Sequence, residues 1–305
     1  MRFILIQILK GALIGAANVV PGVSGGTMAL LTGIFERLIN AVSAFDPQAL
    51  HLLMKKQWAV LWKKIDGTFL LAIGIGVLLS LFSFARLLDI LFIHHKIYVW
   101  AFFFGLIAAS VYSVGRTIKN WNLSVCLLFT LGTLIAGSMA FLTPATGSDS
   151  VLYLMICGAI AMCSMILPGL SGSFVLLLMG NYELLINAIS QFQLAQLIPF
   201  GIGALLGILL FARLLSWIFK QYHDQTVSLL TGFILGSLVI LWPWKTEIIQ
   251  TITKGSELKE KVVGYHYALP PLNTETIVAM ALILAGILLI SWVEIASRQQ
   301  SQSDH

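Results

Sequence analysis

The sequence predicts an all-α polytopic membrane protein with two related halves, and three observations lead to this fold class. Hydrophobic side chains make up 58% of the 305 residues and charged ones only 10%, a composition unlike that of a soluble domain. Apolar runs of about 18 residues or more, enough to cross ~30 Å of hydrocarbon as helix, recur along the chain. A segment broken by Pro, Gly and Ser also occurs twice. The predicted spanning helices are 67–88, 97–115, 122–141, 195–218, 226–242 and 275–294.

The repeated segment is the most informative feature of the sequence. Residues 21–43 read PGVSGGTMALLTGIFERLINAVS and residues 168–190 read PGLSGSFVLLLMGNYELLINAIS, a displacement of 147. The motif FARLL then occurs at 84–88 and again at 211–215, a displacement of 127. The difference of 20 is an insertion in the first half, most of which is residues 46–66. Each half therefore contains one broken apolar segment followed by two spanning helices.

The repeat divides the chain into four parts. Each broken segment is expected to form a re-entrant helical hairpin. The insertion has apolar residues at helical spacing beside lysines, which predicts an amphipathic interfacial helix, with a solvated linker as the alternative. The first repeat is 1–120, with hairpin 3–45, insertion 46–66 and two transmembrane helices. A connecting transmembrane helix follows at 121–147. The second repeat is 148–243, with hairpin 151–190 and two transmembrane helices, and 244–305 contains an extracytoplasmic loop and a C-terminal transmembrane helix.

The number of crossings predicts that the two repeats are inverted. Three spanning helices lie between the hairpins, and an odd number turns the second copy over; broken helices in inverted repeats are typical of secondary transporters. Lysine and arginine are concentrated in the connections that this topology places inside. Both termini are therefore predicted to be cytoplasmic, in the plasma (inner) membrane. The N-terminal segment, with Lys10 within it and no evident cleavage site, is expected to be structural rather than a signal peptide.

The two interruptions predict an anion-binding site. Broken backbone within hydrocarbon is tolerated where it lines a cavity. The proline ends one half-helix, and the glycines let a second begin near Thr27 or Ser173, with free N–H groups and the positive end of its dipole exposed. The alternative is that small residues merely allow close packing or a kink. The candidate substrate-binding residues here are Ser24, Gly25, Gly26, Thr27, Ser171, Gly172 and Ser173.

Ionisable residues near these segments supply further candidates. Each half has a Glu and an Asn four residues apart, which places them on one helix face. The carboxylate at such a position is a candidate proton carrier. Anchoring of the hairpin at the water interface is its alternative role. Arg86 and Arg213, the arginines of the two FARLL motifs, are candidate counter-charges for a substrate phosphate; snorkelling to lipid headgroups is their alternative role. The proton-coupling candidates are Glu36, Asn40, Glu183 and Asn187.

Signatures of catalysis are missing from the sequence. The histidines lie in predicted loops, tails or the insertion, so a Ser-His or phosphohistidine mechanism lacks its base. No metal-ligand spacing or nucleic-acid motif occurs, and the three cysteines lie in apolar segments without ligand spacing. We therefore predict no catalytic residue, no metal and no cofactor, and we expect a transporter rather than an enzyme.

The motifs PGVSGGT at 21–27 and LPGLSGS at 167–173, with the paired FARLL, resemble those of the polyprenyl-phosphate transporter family of bacteria and archaea, the PopT type, formerly a domain of unknown function. The resemblance covers nearly the whole chain. It implies a flippase that returns undecaprenyl phosphate, the carrier lipid of cell-wall synthesis, from the outer to the inner leaflet. That lipid and the membrane lipids would be its partners, with a proton or another ion as the coupling candidate. An ion-coupled transporter of a small soluble anion is the alternative, and a membrane polyprenyl-pyrophosphate phosphatase is a further one.

Overall fold

Helices dominate the protein, whose computed structural model describes residues 2–19, 23–254 and 257–303. Some side chains inside these ranges, that of Arg86 among them, lie outside the described part. The helices are α1 (Arg2–Val19), α2 (Gly25–Leu31), α3 (Phe35–Ser43), α4 (Pro47–Met54), α5 (Trp58–Lys64), α6 (Gly67–His94), α7 (Lys96–Gly115), α8 (Leu123–Ser138), α9 (Val151–Ile166), α10 (Gly172–Leu178), α11 (Tyr182–Ser190), α12 (Leu194–Gln221), α13 (His223–Leu241) and α14 (Thr274–Ser303). A 3-10 turn (Met139–Phe141) and two strands, β1 (Lys245–Lys254) and β2 (Glu257–Tyr267), complete the described elements.

Six of the described helices are long and apolar enough to cross a membrane, which confirms the six predicted spans. They are α6, α7, α8, α12, α13 and α14. The two longest of the predicted repeat helices, α6 and α12, have 28 residues each. At 1.5 Å per residue they reach about 42 Å, so their ends extend beyond a hydrocarbon layer of ~30 Å.

The broken segments contain one more turn than the sequence predicts. We expected a single half-helix after each interruption, but α2 and α3 are separate, as are α10 and α11, which meet at 113°. Gly33 and Gly180 stand at the two turns with φ of 69° and 75°. Their N–H groups bond back to Leu30 and Leu177, the pattern of a Schellman cap, in which glycine takes the left-handed position at the helix end.

Helix boundaries in the two halves follow the displacements seen in the sequence. The displacement of 147 that relates the two Pro-Gly-Ser motifs also carries α2 and α3 onto α10 and α11, end for end. The displacement of 127 that relates the FARLL motifs carries both ends of α6 onto those of α12, and the start of α7 onto the start of α13. The matched residues therefore have matched backbone conformations.

Glycines allow the helix that opens each hairpin to cross close to the long helix that follows the hairpin. The crossing pairs are α1 with α6 and α9 with α12. In α6, a Cβ on Gly76 would collide with the carbonyl oxygen of Ile8 in α1. In α12, a Cβ on Gly203 would collide in the same way with the carbonyl oxygen of Met155 in α9. Such contacts let helix backbones approach closely, the usual role of small residues between membrane helices. The reciprocal contacts are Gly11 with Ile73 and Gly158 with Phe200.

The helix that follows each repeat packs against the other repeat. The helix α8 lies along α13 and α14 lies along α7, while α7 and α13 pack on each other between them. Glycines again mark the close approach, since Gly232 meets the carbonyl oxygen of Phe129 and Gly105 that of Ile283. The main cluster of buried apolar side chains draws on both halves.

The insertion forms two helices instead of the single interfacial helix predicted. The left-handed residue Lys56, with φ of 55°, separates α4 from α5. The Lys64 ammonium bonds both carboxylate oxygens of Asp46, at 2.7 and 2.8 Å, and holds the pKa of that carboxyl below its ordinary value. The apolar side chains Met54, Trp58 and Trp62 are exposed, as an interfacial position requires.

The segment expected as an outer loop contains a β-hairpin. Strands β1 and β2 pair antiparallel, with a register shift between Ile248 and Ile249. The first strand, KTEIIQTITK, is rich in the β-branched residues Thr and Ile, which favours a strand. Trp244 at its start is buried beside α7 and α14, so the hairpin is anchored to the helices by its base.

Alanine at Gly76 or Gly203 is expected to destabilise the protein by about 1–3 kcal/mol, because the added methyl group meets a backbone carbonyl and overpacks the crossing. The matched controls are Gly74→Ala and Gly201→Ala, two residues away in the same helices, where a Cβ meets nothing within 4 Å. Thermal unfolding of the detergent-purified variants measures the difference. Equal losses at the crossing and control positions would contradict the packing role.

Candidate functional site

The tips of the two broken segments bond directly to each other. The Ser24 hydroxyl donates towards the carbonyl oxygens of Leu167, at 3.0 Å, and Met165, at 3.3 Å. In return, the Gly169 N–H donates to the Thr27 hydroxyl at 3.0 Å. Ser24 is only 2% exposed and Thr27 is fully buried. Side chains of the first tip therefore satisfy the backbone of the second.

The amide groups at the start of α2 have partners within the protein. The N–H of Gly25 donates to Asn18 Oδ1 at 2.8 Å, and that of Gly26 donates to Ser24 Oγ at 3.1 Å. The N–H of Thr27 donates to the Ser24 carbonyl oxygen at 3.0 Å. A Cβ on Gly26 would collide with the carbonyl oxygen of Ile166. In this conformation the first tip is filled by protein rather than open to an anion.

The second tip borders an open space. Ser171 and Ser173 are joined by a hydrogen bond of 2.9 Å between their exposed hydroxyls, and no side chain caps the start of α10. A cavity of about 250 Å³ lies against them, with Gly172 and Ser24 also in its wall. Four of the seven predicted tip residues thus meet at one cavity, and Gly25, Gly26 and Thr27 do not line it. Its other walls are Asn18 and apolar side chains, chiefly Met165, Leu170 and Phe200.

The polar stripe on α3 packs against the end of α12 and the start of α13. We call this contact the α3 seam. It contains a carboxylate-imidazole pair, a hydroxyl-amide hydrogen bond, a guanidinium-carbonyl hydrogen bond and an aromatic pair. These are Glu36 with His223 at 3.0 Å, Asn40 with Ser216 at 2.6 Å, the Phe45 carbonyl with Arg213 at 2.6 Å, and the rings of Phe35 and Phe219 at 5.7 Å.

The matching stripe on α11 faces open space instead. Glu183 and Asn187 line a cavity of about 630 Å³, together with Ser148, Asp149 and Gln191. Among the described residues, α11 packs on α10 and α12 and has no extended contact with α6. The two stripes, similar in sequence, therefore have different surroundings: the α3 stripe is in a seam and the α11 stripe borders a polar cavity.

Of the two predicted arginines, Arg213 does not line the tip cavity. One guanidinium nitrogen of Arg213 donates to the Phe45 carbonyl oxygen. Its Nε is buried and makes no hydrogen bond to the described part of the chain. Arg86 lies within α6, but its side chain is outside the described residues. Arg213 is thus in contact with the end of α3, where it retains unused donor capacity.

The contacts of three polar residues at these segments were not predicted from the sequence. His223 was placed in a predicted loop, but the connection between α12 and α13 is Tyr222 alone, so the imidazole reaches Glu36. Lys10 donates to the Thr32 carbonyl oxygen at 2.7 Å, and Tyr153 donates to the Met179 carbonyl oxygen at 2.7 Å. These two carbonyls occupy equivalent positions in the repeat and end the short helices α2 and α10. The available signal was Lys10 itself, a charge inside an apolar run.

Comparisons with known proteins identify the family. The family profile described as VCA0040-like, undecaprenyl phosphate translocase-like, matches residues 14–259. A polyprenyl-phosphate transporter of Vibrio cholerae is 37% identical over 291 residues, which cover 94% of each chain. This chain belongs to the undecaprenyl phosphate translocase-like family. A polyprenyl-phosphate transporter of Staphylococcus aureus is 31% identical over 264 residues, covering 79% of this chain and 87% of its own. No solved structure matches.

The matched region includes most of the candidate site. Residues 14–259 contain both tips, the α3 seam and the α11 cavity, and leave α14 outside. The resemblance inferred from the two Pro-Gly-Ser motifs is therefore confirmed. The membership does not assign roles to individual residues, so these rest on the geometry.

Ser24→Ala is expected to destabilise the protein by about 1–3 kcal/mol, because two partly buried carbonyls lose their hydroxyl donor. The control is Ser171→Ala at the equivalent position, where the hydroxyl has only an exposed partner and the change is expected to stay within about 0.5 kcal/mol. Thermal unfolding followed by tryptophan fluorescence compares the two. A Ser171 effect as large as that of Ser24 would contradict the role of Ser24 as the link between the tips.

Proposed function

We propose that this protein moves polyprenyl phosphate, of which undecaprenyl phosphate is the expected form, between the leaflets of the plasma membrane, so that the carrier lipid is recycled for cell-envelope synthesis. The observation that carries the proposal is the relationship to a polyprenyl-phosphate transporter over 94% of both chains. Six apolar helices and two broken segments that meet at a cavity are the architecture such a task needs.

The chemistry of the substrate explains why polar cavities are required. A phosphate group cannot enter hydrocarbon alone, because transferring a charge from water to an apolar medium is very costly. The polyprenyl tail, by contrast, stays in the lipid. The tip cavity offers Ser171, Gly172, Ser173 and Ser24 to the headgroup, and the α11 cavity offers a polar approach to one side.

The proposed mechanism uses two inverted repeats with both termini cytoplasmic. The odd number of spans between the hairpins, the charge bias and the exchange of α8 and α14 between the halves support it. In this arrangement Arg213 and Arg86 serve the phosphate on opposite sides. Glu36, with Asn40, and Glu183, with Asn187, are the groups proposed to take up a coupling proton.

The protein is proposed to be a transporter without catalytic activity. The two other candidate functions make different predictions. A phosphatase would release phosphate from polyprenyl pyrophosphate in the presence of purified protein. A transporter of small soluble anions would be inhibited by water-soluble phosphate or carboxylates. Neither result is expected.

The leaflet distribution of polyprenyl phosphate in proteoliposomes tests the proposal. We expect purified protein to accelerate its movement between leaflets, compared with protein-free liposomes. The double variant Ser171→Ala with Ser173→Ala removes two hydroxyls from the tip cavity without touching the bonds between the tips, so it should fold normally and transport more slowly. An unchanged rate with and without wild-type protein would rule out the function.

Arg213→Lys is expected to preserve membrane insertion yet weaken phosphate binding by roughly 10- to 150-fold, the equivalent of a charge-assisted contact of ~1.5–3 kcal/mol. Lysine keeps the charge but cannot hold a phosphate through two parallel N–H groups. Arg116→Lys, an exposed arginine beyond α7, is the control and should bind as wild type. Binding of polyprenyl phosphate to purified protein provides the measurement, and equal affinities in all three proteins would remove Arg213 from the site.

Glu36→Gln is expected to flatten the pH dependence of transport, because glutamine cannot titrate. Glu183→Gln tests the second carboxylate in the same way. His223 and Asp224 also face the α3 seam, so His223→Gln is measured alongside to separate its titration from that of Glu36. A pH profile that is unchanged in both glutamate variants and in their double variant would exclude the carboxylates as proton carriers.

A further inference from the structure

Each contact of the α3 seam has a chemical counterpart between α11 and the end of α6 or the start of α7. A displacement of 147 carries α3 residues onto α11, and a displacement of 127 carries α12 and α13 residues onto α6 and α7. Every resulting pair keeps the chemistry of the original: acid with base, ring with ring, amide with a hydrogen-bonding side chain, and carbonyl with arginine. The pairs are Glu183 with Lys96, Tyr182 with Phe92, Asn187 with Asp89, and the Phe192 carbonyl with Arg86.

The preserved chemistry is not a by-product of identical residues. In the acid-base pair the base is His223 in one half and Lys96 in the other. In the aromatic pair Phe35 is replaced by Tyr182, a different ring that packs equally well edge to face. In the amide pair Ser216 is replaced by Asp89. Three of the four pairs therefore change a residue and keep their type of interaction, which points to contact between the partners.

Among the described residues, Glu183 and Tyr182 have different surroundings from their counterparts Glu36 and Phe35. Glu183 borders the cavity of about 630 Å³, whereas its counterpart Glu36 bonds His223. Tyr182 is 39% exposed, whereas Phe35 is 2% exposed. Phe92 packs its ring against Trp100, with centroids 5.4 Å apart. Among the described residues α11 makes no extended contact with α6, whereas α3 packs along α12.

We infer that α11 closes onto α6 in a second conformation of the protein, in which Glu183 pairs with Lys96 and Tyr182 packs against Phe92 while the α3 seam opens. Lys96 and Glu183 are thereby assigned as positioning residues of the transport cycle, and the inference rests on the proposed transporter function. Exposed ion pairs each contribute little. Exchanging one seam for the other therefore leaves the two conformations close in free energy, as a cyclic process needs.

Cysteine cross-linking tests the closure without any substrate. In a background where Cys126, Cys157 and Cys163 are replaced by Ser, the pair Phe92→Cys with Tyr182→Cys should form a disulfide in membrane vesicles. So should Phe35→Cys with Phe219→Cys, the equivalent pair of the α3 seam. Ile189→Cys with Phe92→Cys is the control, because its counterpart Val42 makes none of the four seam contacts, and it should remain reduced.

The two cross-links should exclude each other. A protein already locked at the α3 seam is expected not to form the link between α11 and α6, and locking either should stop lipid movement. Failure of the α11 to α6 pair to cross-link, while the α3 pair does so readily, would overturn the inference, as would formation of both links in one molecule. Cross-links that behave as expected in a protein that moves no polyprenyl phosphate would instead reject the proposed function.

Charge exchange gives an independent readout. Lys96→Glu places a like charge opposite Glu183 and should lower the transport rate roughly tenfold or more. Lys96→Glu should also weaken the cross-link between Phe92→Cys and Tyr182→Cys, and adding Glu183→Lys, which restores the opposite charges, should recover that cross-link; this readout does not depend on the proposed proton uptake by Glu183. Lys96→Arg should transport normally. A double variant that expresses and folds but shows no recovery would overturn the pairing.

Discussion

The fold depends on satisfying backbone polar groups where two apolar segments break. Water cannot reach such groups inside a membrane, and each unsatisfied one costs several kcal/mol. Here the Ser24 and Thr27 hydroxyls meet the backbone of residues 165–169. Each tip therefore needs the other to hold its shape.

The difference between the two tips has a basis in sequence. In the first hairpin the Thr27 hydroxyl accepts from the Gly169 N–H and Asn18 Oδ1 accepts from the Gly25 N–H. Thr27 corresponds to Phe174 and Asn18 to Met165, so the second hairpin lacks both acceptors. The bonds between the tips therefore run in one direction, with side chains from the first meeting backbone of the second. The two hairpins are similar in sequence, but the residues in which they differ leave the first tip filled and the second bordering a cavity.

Features set by local composition could be predicted from the sequence, and those set by contacts between distant residues could not. The six spans follow from the length and hydrophobicity of each run, and the family follows from two short motifs. Glycine at positions 33 and 180 is a local indication of the two turns, but the apolar pattern continues through both positions and predicts one uninterrupted helix. The pairing of Glu36 with His223 joins residues far apart in the chain, and no spacing rule reveals it.

The packing of α14 on α7 has a consequence for biosynthesis. The ribosome completes α7 long before it begins α14, because α7 ends at Gly115 and α14 begins only at Thr274. At ~5–20 residues per second the delay is roughly 10–30 s. Throughout that time the groove at Gly105, which the backbone of Ile283 finally fills, is covered only by lipid or by the insertion machinery. The nascent chain must therefore stay competent for assembly until its last helix arrives, and a ribosome that stalls after α13 releases a product in which one side of α7 has no partner helix.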